Sequence, residues 1–187
     1  MVGKVGYDLS VHIVYLAGNS LRNKEWIEAV KSRFDVFSTG QILYYDHWKN
    51  GEKMIDWDKE AKKLTELVKG RDDYFVFAKS VGTILSLKTI GQGIFKPKKA
   101  IFCGVPYHLS KKDEVSVNLD LILAKLATPM MFIQNEFDFV CSHEKLEQVL
   151  RKNEPVKYQL VKNPDNETHD YKDYEQLINL TKEFFVK

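Results

Sequence analysis

The sequence predicts a three-layer α/β/α sandwich around a six-stranded, mostly parallel sheet. Two observations predict it. Apolar runs of strand length alternate six times with segments of helical period. Several of these runs, VHIVYLA at residues 11–17 among them, are continuously apolar. Strands covered on both faces read this way, and strand–helix alternation builds a parallel sheet with helices on each side.

The elements follow in order. Residues 11–17 form the first strand, and a helical pattern from 21 to 34 sets Trp26, Ile27, Val30 and Phe34 on one side. Residues 35–48 hold the second strand, placed at 41–45. Residues 56–69 read as a helix with Ala61, Leu64, Leu67 and Val68 apolar. YFVFA at 74–78 is the third strand, and its helix spans 81–90. KAIFC at 99–103 is the fourth strand, followed by an irregular stretch, 107–127, with one helix at 119–126. PMMFIQ at 129–134 is the fifth strand. A helix over 142–151 follows, capped by Ser142 with Lys145 and Arg151 toward its end. VKYQLV at 156–161 is the sixth strand. The last helix, 171–186, turns Leu177, Ile178, Leu180, Phe184 and Phe185 inward.

The chain of 187 residues is ample for one core and short for two, and no linker rich in Pro, Gly or Ser divides it. Residues 1–187 read as a single domain, with 1–9 loosely ordered and 105–127 a short lid-like insertion. Hydrophobic residues at 44% and charged residues at 29% place it among ordinary globular chains. The net charge is +2, from 28 basic and 26 acidic side chains. That is too small to draw nucleic acid or a membrane surface by bulk electrostatics. No apolar run reaches the ~18 residues of a membrane span, and the N-terminus has no secretory pattern. Cys103 and Cys141 have neither metal-ligand nor Cys-x-x-Cys spacing. They read as free thiols of a cytoplasmic protein. No metal and no cofactor is expected.

The third strand meets its helix at one residue. A chain that reverses so sharply forces the apex residue into a strained conformation and requires small residues two before and two after. Here Ser80 is the apex, between Ala78 and Gly82. Its hydroxyl would stand above the sheet at a helix N-terminus, with the Val81 amide pointing into the same space. The plain rival is that Ser80 only caps the helix. A phosphate loop is excluded: the glycine that motif needs five residues before its Gly-Lys pair would fall at Asp73.

A serine nucleophile needs a base, and the base an orienting acid. In parallel sheets, ligands sit beyond the carboxyl ends of the strands, so the loops there matter most. After the fifth strand, QNEFDFVCS offers Asp138, with Glu136 and Asp165 as competing carboxylates. After the sixth, NPDNETHDY offers His169. His143 competes as a base but lies on a helix. His12 reads as a sheet residue, and His108 lies in the irregular stretch. Tyr45, His47 and Trp48 follow the second strand, where they line a pocket or cover the sheet edge.

The order Ser80, Asp138, His169, with AKSVG at the corner, resembles the α/β-hydrolase superfamily in a compact form without the first two strands or a cap domain. The resemblance runs from about residue 11 to 187. AGNS at 17–20 is similar to the oxyanion loop, IQNEFDFV to the acid loop and ETHDY to the histidine loop. It implies the strand order 2-1-3-4-5-6. It also implies Ser80 as nucleophile, His169 as general base and then acid, and Asp138 as orienting carboxylate. The oxyanion hole would use the amide of Val81 and one near Gly18 or Asn19. The sequence departs from the pattern at Ala78 and Asn135, which stand for glycines, and at Leu16-Ala17-Gly18, which replaces the usual His-Gly.

The expected activity is hydrolysis of a small-molecule carboxylic ester or thioester through an acyl-enzyme on Ser80. The alternative is a non-catalytic binding protein that retains the hydrolase fold. A weaker reading is a nucleotide or phosphate binder using the helix start at Asn19-Ser20-Leu21.

Overall fold

The computed structural model describes residues 11–108, 118–153 and 157–186. Among them six strands form one sheet: β1 (Val11–Leu16), β2 (Ser38–Ile42), β3 (Phe75–Lys79), β4 (Ala100–Cys103), β5 (Met130–Asn135) and β6 (Tyr158–Asn163). The order is β2-β1-β3-β4-β5-β6. All five pairings are parallel. The register sets Leu16 beside Ala78, Lys79 beside Cys103, Cys103 beside Ile133 and Asn135 beside Asn163. The carboxyl ends of these strands therefore meet along one edge.

The four inner strands are buried throughout, which explains their largely apolar sequence, with polar residues at His12 and at the carboxyl ends of β3 and β5. Successive side chains serve opposite layers. Val14, Leu16, Val76 and Ala78 face one core, and Ile13, Tyr15, Phe75 and Phe77 the other. The first layer holds α3 (Trp57–Leu67), α4 (Val81–Gly91), α5 (Leu119–Leu123) and α6 (His143–Asn153). The second holds α1 (Arg22–Phe34) and α7 (Tyr174–Val186). Phe77 is fully buried there against the rings of Tyr15, Trp26 and Phe34. Burying such a side chain is worth about 1.5–3 kcal/mol.

Several boundaries differ from the sequence reading. The second strand lies at Ser38–Ile42, earlier than 41–45. As an edge strand it is partly exposed and polar, so its position follows from pairing with β1, from Val11 beside Ser38 to Tyr15 beside Ile42. The apolar Leu43 and Tyr45 are buried just beyond its end. A short helix, α2 (His47–Asn50), follows. The last helix starts at Tyr174 rather than 171, because Asp173 caps it: its carboxylate accepts from the Gln176 amide at 3.0 Å. Tyr171 is thereby free to enter the core as part of a loop.

Leu119 and Leu123 of α5 are buried in the first core, against α4 and α6. Residues 1–9, and 109–117 of the expected lid-like insertion, lie outside the described residues. No helix among the described residues is long and apolar enough to cross a membrane.

Candidate active site

Ser80 sits at the junction of β3 and α4 with φ 52° and ψ −122°. For a residue with a side chain this backbone costs about 1–3 kcal/mol. Ser80 makes no side-chain capping hydrogen bond, so the plain N-cap rival fails. The corner is held by its backbone. The Ser80 amide donates to the Cys103 carbonyl at 2.9 Å, and the Ser80 carbonyl accepts from the Thr83 amide at 2.8 Å and hydroxyl at 2.6 Å. The Gly82 amide donates to Ala17 at 3.0 Å. A Cβ on Gly82 would lie 2.8 Å from the Ala17 oxygen and from Leu16 Cβ, so this position admits only glycine without a shift. Ala78 in place of the first glycine is accommodated, fully buried.

Asp138 and His169 are in contact. The imidazole Nδ1–H donates to Asp138 Oδ2 at 2.8 Å, which leaves the lone pair on Nε2. The carboxylate is only 2% exposed as a residue and takes three further donors: Tyr171 Oη at 3.0 Å, Gln134 Nε2 at 3.3 Å and the Val140 amide at 2.8 Å. A buried carboxylate requires such partners. Nε2 of His169 is buried and makes no hydrogen bond to Ser80 or to any other group among the described residues.

The peptide between Cys103 and Gly104 joins serine to histidine. Its carbonyl accepts from the Ser80 amide, and Gly104 carries the imidazole on its open face. A Cβ on Gly104 would stand 2.9 Å from His169 Cε1 and 2.6 Å from Tyr171 Cε2. Gly104 also has φ +60°, a conformation that suits glycine.

The loop after β1 meets the Ser80 corner, where the Gly82 amide bonds the Ala17 carbonyl. The amides of Gly18, Asn19 and Val81 carry no hydrogen bond among the described residues, so all three candidate oxyanion donors are unspent. Asn19 is held firmly. Its carbonyl accepts from His47 Nε2 at 2.6 Å and Trp48 Nε1 at 2.8 Å, and its amide side chain bonds Lys53 and Ile55. The aromatics after the second strand thus fasten this loop. Gly18 is buried against the Asn23 side chain, which bonds Ser20 and accepts from Lys79 Nζ at 2.9 Å. Lys79, buried next to Ser80 and over the Trp26 ring, has its pKa lowered by desolvation.

The side chains of Glu136, His12 and His108 have other partners. Glu136 pairs with Lys162 at 2.9 Å and accepts from the Asp165 amide, and Lys162 holds its carboxyl below the usual range. His143 opens α6, with its amide on the Glu136 carbonyl. His12 bonds Thr39 within the sheet, as expected of a sheet residue. His108 bonds the Val140 carbonyl at 3.0 Å. The sequence reading missed Tyr171, Gln134 and Gly104. The one signal available for Gln134 was a polar residue ending an apolar strand. Among the described residues no three His, Cys, Asp or Glu side chains stand close enough to hold a metal ion.

This architecture is the α/β-hydrolase fold. The sequence matches no family model and no curated protein. The fold is similar to that of Est1E from Butyrivibrio proteoclasticus, solved with ferulic acid bound, at TM-score 0.73 and 10% identity over 98% of this chain and 91% of that one. It is similar to dienelactone hydrolase from Anabaena variabilis at TM-score 0.72 and 14% identity, over 96% and 87%. It is also similar to an uncharacterized protein from Bacillus cereus at TM-score 0.71 and 15% identity. This chain, covered over 99%, spans 62% of the length of that protein.

Proposed function

We propose that this chain is a serine hydrolase that cleaves a small carboxylic ester or thioester through an acyl-enzyme on Ser80. The observation that carries the reading is the buried 2.8 Å contact of Asp138 with His169 Nδ1, which leaves Nε2 to act as a base. The strained backbone of Ser80 supports it, because strain of this kind is kept where it aims a side chain.

In the proposed reaction Nε2 of His169 takes the Ser80 hydroxyl proton as Oγ attacks the substrate carbonyl carbon. The negative charge passes to the carbonyl oxygen, which the Val81 amide and one from Gly18 or Asn19 stabilise. Each such donor is typically worth ~2.7–4 kcal/mol of barrier. The imidazolium then gives its proton to the leaving oxygen or sulfur, and the tetrahedral intermediate collapses to the acyl-enzyme. Water, deprotonated by Nε2, attacks the acyl carbon, and Ser80 recovers its proton as the acid leaves. Asp138 stays ionised throughout and steadies the imidazolium.

Two apolar side chains support an ester with an uncharged acyl or alcohol part. Phe139, 80% exposed, stands edge-on to the His169 ring, and Met54, 47% exposed, lies beside Asn19. The name of dienelactone hydrolase, a lactone being a cyclic ester, supports an ester bond as the target. A non-catalytic binding protein is the second reading. The observation that favours it is the missing hydrogen bond between Nε2 and Ser80, although catalytic contacts of this kind often close only around substrate.

A fluorophosphonate probe decides between them. The hydrolase reading expects labelling of the wild type that Ser80→Ala and His169→Ala both abolish. Wild-type protein that stays unlabelled and turns over none of a panel of p-nitrophenyl esters would refute it.

A further inference from the structure

Asn135, the last residue of β5, is fully buried although it is polar. Its side-chain amide Nδ2 donates to the Thr168 carbonyl at 2.7 Å and to the Asp170 carbonyl at 3.0 Å. These are the carbonyls of the two residues that flank His169. The Asn135 oxygen accepts from Asn163 Nδ2 at 2.8 Å, which fixes the orientation of the amide. The Asn135 backbone N–H donates to Tyr171 Oη at 3.1 Å, and that hydroxyl donates onward to Asp138. One residue thus grips the histidine loop with its side chain and, through a phenol, the carboxylate with its backbone.

We infer that Asn135 is a positioning residue that sets the His169 loop against Asp138, so that the imidazole presents Nε2 at a fixed place. The geometry carries this step by step. His169 lies in a loop with no strand or helix of its own to hold it. Thr168 and Asp170 are exposed, and the Asp170 carboxylate is engaged outward with Lys172 at 2.7 Å. The buried amide of Asn135 is what both flanking carbonyls share. Two bonds from one rigid group hold the carbonyls of both flanking residues, so the ring between them keeps its height over Gly104. Removing the amide leaves two carbonyls to find water and lets the loop lift. A displacement near 1 Å at a reacting group can cost about 100-fold in rate.

The kinetic arm of the test rests on the hydrolase reading, and a spectroscopic arm does not. In the first, inactivation by a fluorophosphonate is resolved into a binding constant and a maximal rate across pH. Asn135→Ala is expected to lower the maximal rate about 100-fold with the binding constant little changed. In the second arm, proton NMR in water follows the downfield imidazole Nδ1–H resonance, assigned by its loss in His169→Ala. Asn135→Ala is expected to lose this resonance to solvent exchange in a folded protein. Asn135→Asp, of equal size but with oxygens facing the two carbonyls, should lose it too. If Asn135→Ala does not fold, Asn163→Ala takes its place, with a smaller loss of rate and a broadened resonance. Folded Asn135→Ala that keeps the resonance and labels within twofold of wild type overturns the inference. If the wild type resists the probe, the hydrolase reading fails, and persistence or loss of the resonance still decides the role of Asn135.

Discussion

Adding a single methyl at Gly104 should move the proposed base. Gly104→Ala places a Cβ 2.6 Å from Tyr171 Cε2 and 2.9 Å from His169 Cε1, where ordinary contact begins at 3.4 Å. The two rings must therefore withdraw by about 0.8 and 0.5 Å. Neither moves freely. Tyr171 is bonded to Asp138 and Asn135, and His169 to Asp138. The left-handed φ of +60° adds roughly 1–2 kcal/mol for a residue with a Cβ, and overpacking about 1–3 kcal/mol. A stability loss of about 2–5 kcal/mol follows, read from urea midpoints. In protein that remains folded, the fluorophosphonate rate should fall about tenfold, since the imidazole is pushed by about half the displacement that costs 100-fold. Folded Gly104→Ala with wild-type stability and labelling would show that His169 does not rest on this glycine when Ser80 reacts.

Other perturbations separate strain, support and charge. Ser80→Gly should abolish labelling yet raise stability by about 1 kcal/mol, because glycine adopts the φ of 52° without strain. An unchanged or lower urea midpoint would argue against stored strain. Tyr171→Phe removes one donor to the Asp138 carboxylate and leaves the buried Asn135 N–H unpaired. It should cost about 2–4 kcal/mol of stability while Gln134 and Val140 keep the carboxylate in place, so labelling survives at a reduced rate. Asp46 is held at about 2, below its ordinary 3.8, chiefly by hydrogen bonds from Lys63 and Lys59. Its contribution is complete above the ordinary value and fades as pH falls toward 2. Asp46→Asn should therefore lose about 1 kcal/mol at pH 7, allowing for solvent screening, and progressively less as pH falls through 2. Equal losses at both pH values would count against the ion pairs.

Much of the fold is legible locally. Inner strands such as β3 announce themselves because both faces are covered, which requires a largely apolar run. The corner at Ser80 is legible because sterics there restrict residues 78 and 82 to small types, and Gly82 has no room for a methyl. β2 was misplaced because an edge strand carries little apolar signal, so its register comes from β1 instead of its own side chains. Tyr171 was read into a helix because a tyrosine next to a helical pattern looks helical until Asp173 is seen to cap it.

The sequence by itself determined the alternation of elements, the sharp turn and the presence of a serine, an acid and a histidine in loops after strands. These follow from constraints between residues a few positions apart, which a short window contains. Only the tertiary structure decided which groups meet. Asp138 receives Tyr171 from 33 positions away and His169 from 31, and Asn135 reaches the carbonyls on both sides of that histidine. Those pairings depend on the parallel register that brings the ends of β5 and β6 together, and no periodicity within either segment encodes it.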